Sequence, residues 1–282
     1  MAKEFHPSGK TLSQKLYGTH LITALCGFGA TVSSYILFDE QIDYFLALLI
    51  GFATLLDYHL QNNKSGSIKE AWRYYIKNNK ALFFFAWVMV VCLVLKSNFH
   101  QFLFMGHLAL IAVFYGYDFK FGRFKLGALR YNNNLKIFLI VYVWVAATVW
   151  YPFLETNFKH EISRHLLVPE TIQRALFYFA LTLPFDIRDE ESDKRVNLKT
   201  LAATIGLKRT QLVSTLCLIF SSIVAYYAYH LSYFLAISVS HIFCFLIILG
   251  VNKKRKGFYY TGLMDGSIVF QAILLLIAYY FG

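Results

Sequence analysis

The sequence predicts an all-α integral membrane protein, a bundle of nine transmembrane helices. Its composition is 57% hydrophobic and only 15% charged, whereas a soluble domain is about a quarter charged. The apolar residues are grouped in blocks near the length of about 20 residues that crosses a bilayer as a helix. The basic residues gather in every second connection between these blocks, which is typical of a multi-pass membrane protein.

The apolar blocks are predicted to be helical because a helix pairs its own backbone N–H and C=O groups, which lipid cannot do. No low-complexity segment or linker interrupts them, so residues 1–282 are predicted to form a single transmembrane domain. In chain order, the predicted spans are 19–38, 43–60, 80–97, 100–116, 134–152, 170–186, 211–229, 232–250 and 262–281.

The distribution of Lys and Arg predicts the orientation in the membrane. With nine spans, the N-terminal tail and the even-numbered loops lie on one side and hold 23 of the 27 Lys and Arg residues. The other side holds Lys96, Lys159, Arg164 and Arg174. Because basic loops stay in the cytoplasm, the N-terminus is predicted to be cytoplasmic and the protein to lie in the inner or plasma membrane. Membrane lipid is therefore an expected partner, and nucleic acid is not.

A cluster of acidic residues at the end of the sixth span is the main candidate site. The stretch LPFDIRDEESDKR, residues 183–195, contains five of the 16 Asp and Glu residues. If the helix continues past Phe185, Asp186, Asp189 and Asp193 lie on one of its faces. Clustered carboxylates repel each other and stay ionised only beside a compensating charge. Mg²⁺ shared with a substrate phosphate is a natural partner for them.

Basic residues in the same region are suited to bind phosphate oxygens. The alternative is a solvated loop in which acidic and basic side chains pair with each other. The position at a helix end beside the membrane favours a functional site, because ionisable groups at membrane depth usually mark one. The basic residues concerned are Arg188, Lys194, Arg195 and Lys199.

The stretch FDIRDEESDKRVNLKTLAATIG resembles the second aspartate-rich motif of the UbiA superfamily of intramembrane prenyltransferases. Two further stretches, YDFKFGRFKLGALRYNNNLKIFLIVYVW before span five and YYTGLMDGSIVFQA at span nine, are similar to members of this family. The resemblance implies nine helices with the aspartate motifs on the cytoplasmic side. The matching motif positions are Asp186, Arg188, Asp189, Asp193, Lys199, Thr200, Leu201 and Gly206.

The resemblance also implies an activity: transfer of a prenyl group from a prenyl diphosphate to a lipophilic acceptor, such as an aromatic or quinone-precursor molecule, with Mg²⁺ as cofactor. The implied metal ligands are Asp186, Asp189 and Asp193. The implied catalytic residues are Asp189, Asp193 and Asp57. The implied diphosphate-binding residues are Arg188, Lys194, Lys199, Gln61 and Asn62.

The first aspartate motif of the family, N-x-x-x-D-x-x-x-D, is incomplete in this chain. The corresponding stretch, FATLLDYHLQNNKSGS, has Asp57 as its only acidic residue. Gln61 and Asn62 offer carbonyl oxygens there, but no charge. Four interpretations stay open: a prenyltransferase that uses one metal ion plus basic residues, a transferase for another substrate, a non-catalytic relative that binds an isoprenoid lipid, and an unrelated transporter. The transporter is disfavoured because the chain has four prolines and no visible repeat.

Asp118 and Asp265 lie near the ends of spans four and nine. Each is expected either to line the mouth of a cavity or to cap a helix, and the sequence does not distinguish between these roles.

Overall fold

The computed structural model describes most of the chain. The expected diphosphate-binding residue Asn62 and the N-terminal tail lie outside the described residues. The described residues are 20–61, 80–121, 124–132, 135–157, 164–195, 198–255 and 257–282.

Apolar helices form most of the described structure. Two segments are wider π-helical turns: Ala146–Trp150 joins α5 to α6, and Tyr259–Met264 leads into α12. The helices are α1 (Leu21–Leu37), α2 (Tyr44–Gln61), α3 (Lys80–Lys96), α4 (Phe99–Gly116), α5 (Lys136–Val145), α6 (Tyr151–Asn157), α7 (Leu167–Thr182), α8 (Phe185–Arg195), α9 (Leu201–Ile205), α10 (Leu207–Ala228), α11 (Leu231–Leu249) and α12 (Gly266–Phe281). Single 3₁₀ turns lie at Leu129–Tyr131 and Arg164–Leu166.

Each of the nine predicted spans overlaps a helix of the described residues, so the prediction of a helical, multi-pass membrane protein is confirmed. In this part of the chain, six helical segments are long and apolar enough to cross a membrane. The helices at Leu21–Leu37 and Ala81–Lys96 are apolar but shorter. A small departure from an all-helical chain is the antiparallel hairpin of β1 (Phe119–Phe121) and β2 (Phe124–Leu126), which lies in the loop after α4.

The sixth span does not continue through the acidic cluster. α7 ends at Thr182, Leu183 and Pro184 form a turn, and α8 begins at Phe185. Proline has no N–H to donate, which disfavours an unbroken helix here. The Pro184 carbonyl instead accepts a hydrogen bond from the N–H of Ile187 at 3.1 Å, in the first turn of α8. Because the break precedes the aspartates, they still share one helix.

The helices pack closely where small residues face each other, as is common in membranes. α1 packs against both α2 and α12, and α7 packs against α10. At the contact of α1 with α2, Gly51 lies so near α1 that an added Cβ would be 3.0 Å from the Ala24 carbonyl oxygen. The same Cβ would be 3.3 Å from Cβ of Phe28. Gly51 therefore helps the two helices approach closely.

Gly51→Ala is expected to lower the free energy of unfolding by about 1–3 kcal/mol, because the extra methyl group overpacks this contact. The measurement is the Tm of the purified protein in detergent. The matched control is Gly106→Ala in α4, where an added Cβ meets nothing within 4 Å. Equal losses of Tm in the two variants would show that the close contact of α1 with α2 does not limit stability.

A buried ionic network connects α7 to its neighbours. Glu170 and Arg174 are fully buried, with 3.0 Å between Nε of Arg174 and Oε1 of Glu170. Ser34 of α1 donates to the same carboxylate oxygen at 3.0 Å, and the Tyr229 hydroxyl donates to the other one. Arg174 also donates to Oε1 of Gln271 in α12 at 2.7 Å. These bonds compensate a charge pair that would otherwise be costly inside a membrane.

Candidate active site

A cavity of about 720 Å³ is lined by α1, α2, α4, α5, α7, α8 and α12, together with the 3₁₀ turn before α5 and the π-helical turn before α12. Its volume lies within the range of small-molecule binding sites. The apolar lining comes from Ile111 and Ala112 of α4, Leu139, Ile140 and Val143 of α5, Leu181 near the end of α7 and Ile268 near the start of α12. The charged lining comes from residues at or near helix ends: Asp57, Arg130, Lys136, Asp186, Arg188, Asp189 and Asp265.

The lining thus changes from charged to apolar along single helices. In α5, Lys136 is the first helical residue, and Leu139, Ile140 and Val143 follow within two turns. A molecule with a charged head and an apolar tail matches this gradient, because each part meets lining of its own polarity.

Lys136 joins two aspartates of the acidic cluster. Its Nζ lies 2.9 Å from Oδ1 of Asp186 and 3.1 Å from Oδ2 of Asp193. All three side chains are largely buried, with 15%, 8% and 14% of their surface exposed. Burial raises the pKa of the Asp186 carboxyl, and the Lys136 ammonium acts in the opposite direction. The ion pair therefore offsets the cost of placing this carboxylate at a mostly buried position.

Asp189 has a different cationic partner. Nε and Nη2 of Arg188 donate to its two carboxylate oxygens at 2.7 and 2.8 Å. The guanidinium carbon also lies 4.8 Å from the ring centre of Phe185 and 5.4 Å from that of Tyr260. Bidentate pairing and contact with aromatic rings fix the plane of the guanidinium. Both Arg188 and Asp189 line the cavity.

The remnant of the first motif lies at the same cavity. Asp57 accepts a hydrogen bond from Nε2 of Gln61, one turn later in α2, at 2.6 Å. Both side chains line the cavity. The backbone carbonyl of Gln61 accepts a hydrogen bond from Nη1 of Arg130 at 3.4 Å, which places that cation beside the end of α2. The structure thus brings Asp57 and Gln61 together with Asp186, Arg188 and Asp189, although more than 120 residues of sequence separate the two groups.

Three other predicted site residues are not among the described residues that line the cavity: Asp193, Lys194 and Lys199. Asp193 forms an ion pair with Lys136, which does line the cavity. Lys194 is exposed and forms an ion pair with Glu190 at 2.7 Å. Lys199 is exposed as well. The diphosphate-binding roles of Lys194 and Lys199 stay predictions.

Part of the motif tail has a structural role. The Thr200 hydroxyl accepts a hydrogen bond from the N–H of Ala203 at 3.3 Å and caps α9. Gly206, between α9 and α10, has a φ of 81°. A side chain is disfavoured at this positive angle, which explains a glycine there. These two residues shape the connection between α8 and α10.

The two isolated aspartates have different positions. Asp118 accepts a hydrogen bond from the N–H of Ala128 at 2.8 Å and so anchors the loop after the hairpin. Asp265 lines the cavity and makes no side-chain cap to α12. Of the two roles left open for Asp265, the cavity is the one observed.

Two cationic residues of the cavity have no counterpart among the predicted site residues. Lys136 and Arg130 enter the sequence argument only as basic residues that set the orientation. One local signal was available for Lys136: it stands at the start of a predicted helix, where the helix dipole disfavours a cation. A lysine there needs a compensating partner, and Asp186 and Asp193 supply it.

The donor atoms of the acidic cluster are of the type that Mg²⁺ prefers, since all of them are carboxylate oxygens. Lys136 contacts one oxygen each of Asp186 and Asp193. Within the described part of the chain, however, no three His, Cys, Asp or Glu side chains converge tightly enough to hold a metal ion. The cluster therefore fits a divalent cation in chemistry but does not form a closed protein-only cage.

Comparisons with known proteins support the fold. No protein-family model matches the chain, and no curated protein matches it. A solved structure of a digeranylgeranylglyceryl phosphate synthase in membranes is similar to 95% of this chain and to 98% of its own length, with a TM-score of 0.52 and 15% sequence identity. At that identity, the likeness establishes the fold. The class defined here is therefore a multi-pass membrane protein with the fold of a membrane prenyltransferase.

Proposed function

We propose that this protein is an intramembrane prenyltransferase of the UbiA type, which transfers a prenyl group from a prenyl diphosphate to a lipophilic acceptor. The observation that carries the proposal is the cavity, which combines charged residues at helix ends with an apolar wall, and whose lining changes from Lys136 to Leu139, Ile140 and Val143 along α5. The diphosphate lies at the charged end and the prenyl chain along the apolar wall. The aspartate motif and the prenyltransferase fold support the same assignment.

The reaction breaks the bond between the allylic carbon and the diphosphate oxygen. The bonding electron pair leaves with the diphosphate, the allylic carbon becomes cationic, and a nucleophilic atom of the acceptor forms the new bond and releases a proton. Arg130, Lys136 and Arg188 line the cavity and bind the departing anion, which is more highly charged than the bound substrate. Tyr58, Tyr115, Trp144 and Tyr178 also line it, and their rings stabilise positive charge on the allylic carbon.

Magnesium belongs to this proposal as the cofactor. When bound, it neutralises negative charge on the departing diphosphate. Asp186 and Asp189 line the cavity and would hold the ion, with Asp193 as the third expected ligand. The carboxylates alone do not enclose an ion, so further oxygen donors would be needed to hold it.

We also propose that the charged end of the cavity faces the cytoplasm of a cell with this protein in its inner or plasma membrane. The support is the distribution of basic residues, since the loops next to the charged end hold most of the Lys and Arg. A water-soluble diphosphate product then leaves on the cytoplasmic side, and a lipid-soluble product remains in the bilayer.

One observation favours a second candidate, a non-catalytic relative that binds an isoprenoid lipid. The residue one turn after Asp57 is Gln61, whose amide donates to Asp57, where the complete motif has a second acidic residue. The first motif therefore contributes little charge for holding a metal ion. A non-catalytic protein keeps the apolar cavity and loses metal-dependent diphosphate binding. The two candidates therefore differ in a property that is measurable without knowing the acceptor.

The decisive experiment is the binding of geranylgeranyl diphosphate to the purified protein in detergent, with Mg²⁺ and then with excess chelator. A prenyltransferase is expected to bind the ligand at least about tenfold more tightly with Mg²⁺, because the ion would offset the repulsion between the acidic cluster and the diphosphate. Geranylgeraniol, which lacks the diphosphate, is the matched control and should not respond to Mg²⁺. Equal binding of both ligands, with or without the ion, would favour the non-catalytic candidate.

Asp57→Asn is expected to weaken Mg²⁺-dependent binding of geranylgeranyl diphosphate by less than about tenfold, because Asp57 is a single carboxylate that already accepts a hydrogen bond from Gln61. The measurement is the same titration in Mg²⁺. A loss as large as that of Asp189→Asn would show that the incomplete first motif still holds an essential ion.

A further inference from the structure

Lys136 occupies a position that is unusual for a lysine. It is the first residue of α5, where the exposed N–H groups of a helix repel positive charge. It is also mostly buried, with only 15% of its side chain exposed. Both conditions disfavour a cation. A lysine at this position is therefore explained by the groups that its ammonium contacts, and not by a contribution to the stability of α5.

The ammonium contacts two carboxylates from another helix. Its Nζ is 2.9 Å from Asp186 and 3.1 Å from Asp193, which are seven residues apart on α8. A positive charge shared between oxygens of two carboxylates is the arrangement that a bound cation would produce. The third carboxylate of the cluster, Asp189, is held by Arg188. Protein cations thus contact all three aspartates.

We propose that Lys136 is a resident cation, which takes the place of one divalent ion at this site. The inference rests on the proposed function for its ligand, a diphosphate, but its central claim concerns only this chain. With Lys136 in place, Asp186 and Asp193 already share a positive charge, and diphosphate oxygens bind the ammonium directly where it lines the cavity. The site therefore needs one divalent ion fewer than it would with a neutral residue at position 136.

The incomplete first motif is consistent with this arrangement. Two acidic motifs supply ligands for several ions, whereas this cavity has Asp57 alone on the side of α2. Fixed cations reduce the number of ions that the carboxylates have to hold. Arg130, Lys136 and Arg188 line the same cavity and provide such charge.

The first test uses Mn²⁺ alone, as a paramagnetic substitute for Mg²⁺, with no diphosphate present. Free Mn²⁺ is counted by electron paramagnetic resonance in titrations of the purified protein. Lys136→Met is expected to bind one more Mn²⁺ per protein than the unmodified chain, because Asp186 and Asp193 lose their shared cation. Lys136→Arg keeps the charge and should bind the same number as the unmodified chain.

Lys253→Met is the matched control. Lys253 also forms an ion pair with a residue of α8, 2.7 Å from Glu190, but it is 64% exposed and is not among the described lining residues. This variant should bind as many Mn²⁺ ions as the unmodified chain. An unchanged count in folded Lys136→Met, or an equal gain in Lys253→Met, overturns the proposal.

The second test measures binding of geranylgeranyl diphosphate in excess chelator. The unmodified chain should retain measurable binding, and Lys136→Met should lose at least about tenfold, as expected for one charge-assisted contact. Added Mg²⁺ should restore most of that loss in the variant. No binding by the unmodified chain in chelator, together with tight binding in Mg²⁺, overturns the proposal even if Lys136→Met does not fold.

The two tests separate this inference from the proposed function. Absence of diphosphate binding under all conditions, together with the gain of one Mn²⁺ in Lys136→Met, would contradict the prenyltransferase and support the resident cation. Tight Mg²⁺-dependent binding by the unmodified chain, together with an unchanged Mn²⁺ count in Lys136→Met, would support the prenyltransferase and contradict the resident cation.

Discussion

Asp189→Asn is expected to weaken Mg²⁺-dependent binding of geranylgeranyl diphosphate by about 100-fold, while the helical fold stays intact. Asparagine keeps the size of the side chain but removes its charge and one of its two acceptor oxygens. Asp189 lines the cavity and holds Arg188 through two hydrogen bonds. The substitution therefore removes a proposed metal ligand and also releases the guanidinium from its fixed orientation.

The matched control for this prediction is Glu191→Gln, which makes the same change of charge two residues away on α8. Glu191 is exposed and is not among the described lining residues of the cavity. Binding is measured by titration in Mg²⁺, and the fold is followed by far-UV circular dichroism. Similar, small effects of both substitutions would mean that the acidic cluster acts only through its overall charge, and the proposed metal site would be withdrawn.

Glu170→Leu is expected to lower the free energy of unfolding by about 3–5 kcal/mol, because it leaves the buried Arg174 guanidinium without its anionic partner. Unfolding is followed in detergent against a denaturant. Ser34 and Tyr229 also lose their acceptor in this variant. The effect should therefore exceed that of Gly51→Ala in the same preparation.

The double variant Glu170→Leu/Arg174→Leu is the control for this second prediction. It removes both charges, and an apolar pair of similar volume is often tolerated in place of a buried ion pair. It is expected to recover more than half of the stability that the single variant loses. If the double variant is less stable than the single one, the ion pair contributes to stability beyond compensating its own burial.

The sequence predicts the positions of the helices closely. The predicted spans 43–60 and 100–116 correspond to α2 at Tyr44–Gln61 and α4 at Phe99–Gly116. The reason is physical: lipid requires each crossing segment to be apolar and helical, so the boundaries coincide with changes in polarity. The end of α7 before the aspartates had a local signal too, since Pro184 disfavours a continuous helix.

The site is predicted less completely, because its contacts connect distant parts of the chain. Asp186 and Asp189 are found at the cavity, as their motif suggests. Lys136 is 50 residues away from Asp186 in sequence, and nothing in either segment alone specifies that they meet. Conversely, a motif does not separate ligand-binding from structural residues: Gly206 belongs to it because of a backbone angle. Helix packing decides the first question and backbone conformation the second.

The π-helical turn before α12 has a consequence for how the chain tolerates changes in length. The N–H of Asp265 donates to the carbonyl of Tyr260, five residues back, at 3.1 Å, so this turn holds one residue more than an α-helical turn. Each residue of an α-helix rotates the direction of its side chain by about 100°. Thr261 and Asp265 reach the cavity while α12 packs against α1. If the turn lost one residue, either the side chains at the cavity or the face of α12 that packs against α1 would keep its direction, but not both. We therefore expect the protein to tolerate substitutions in this turn far better than deletions.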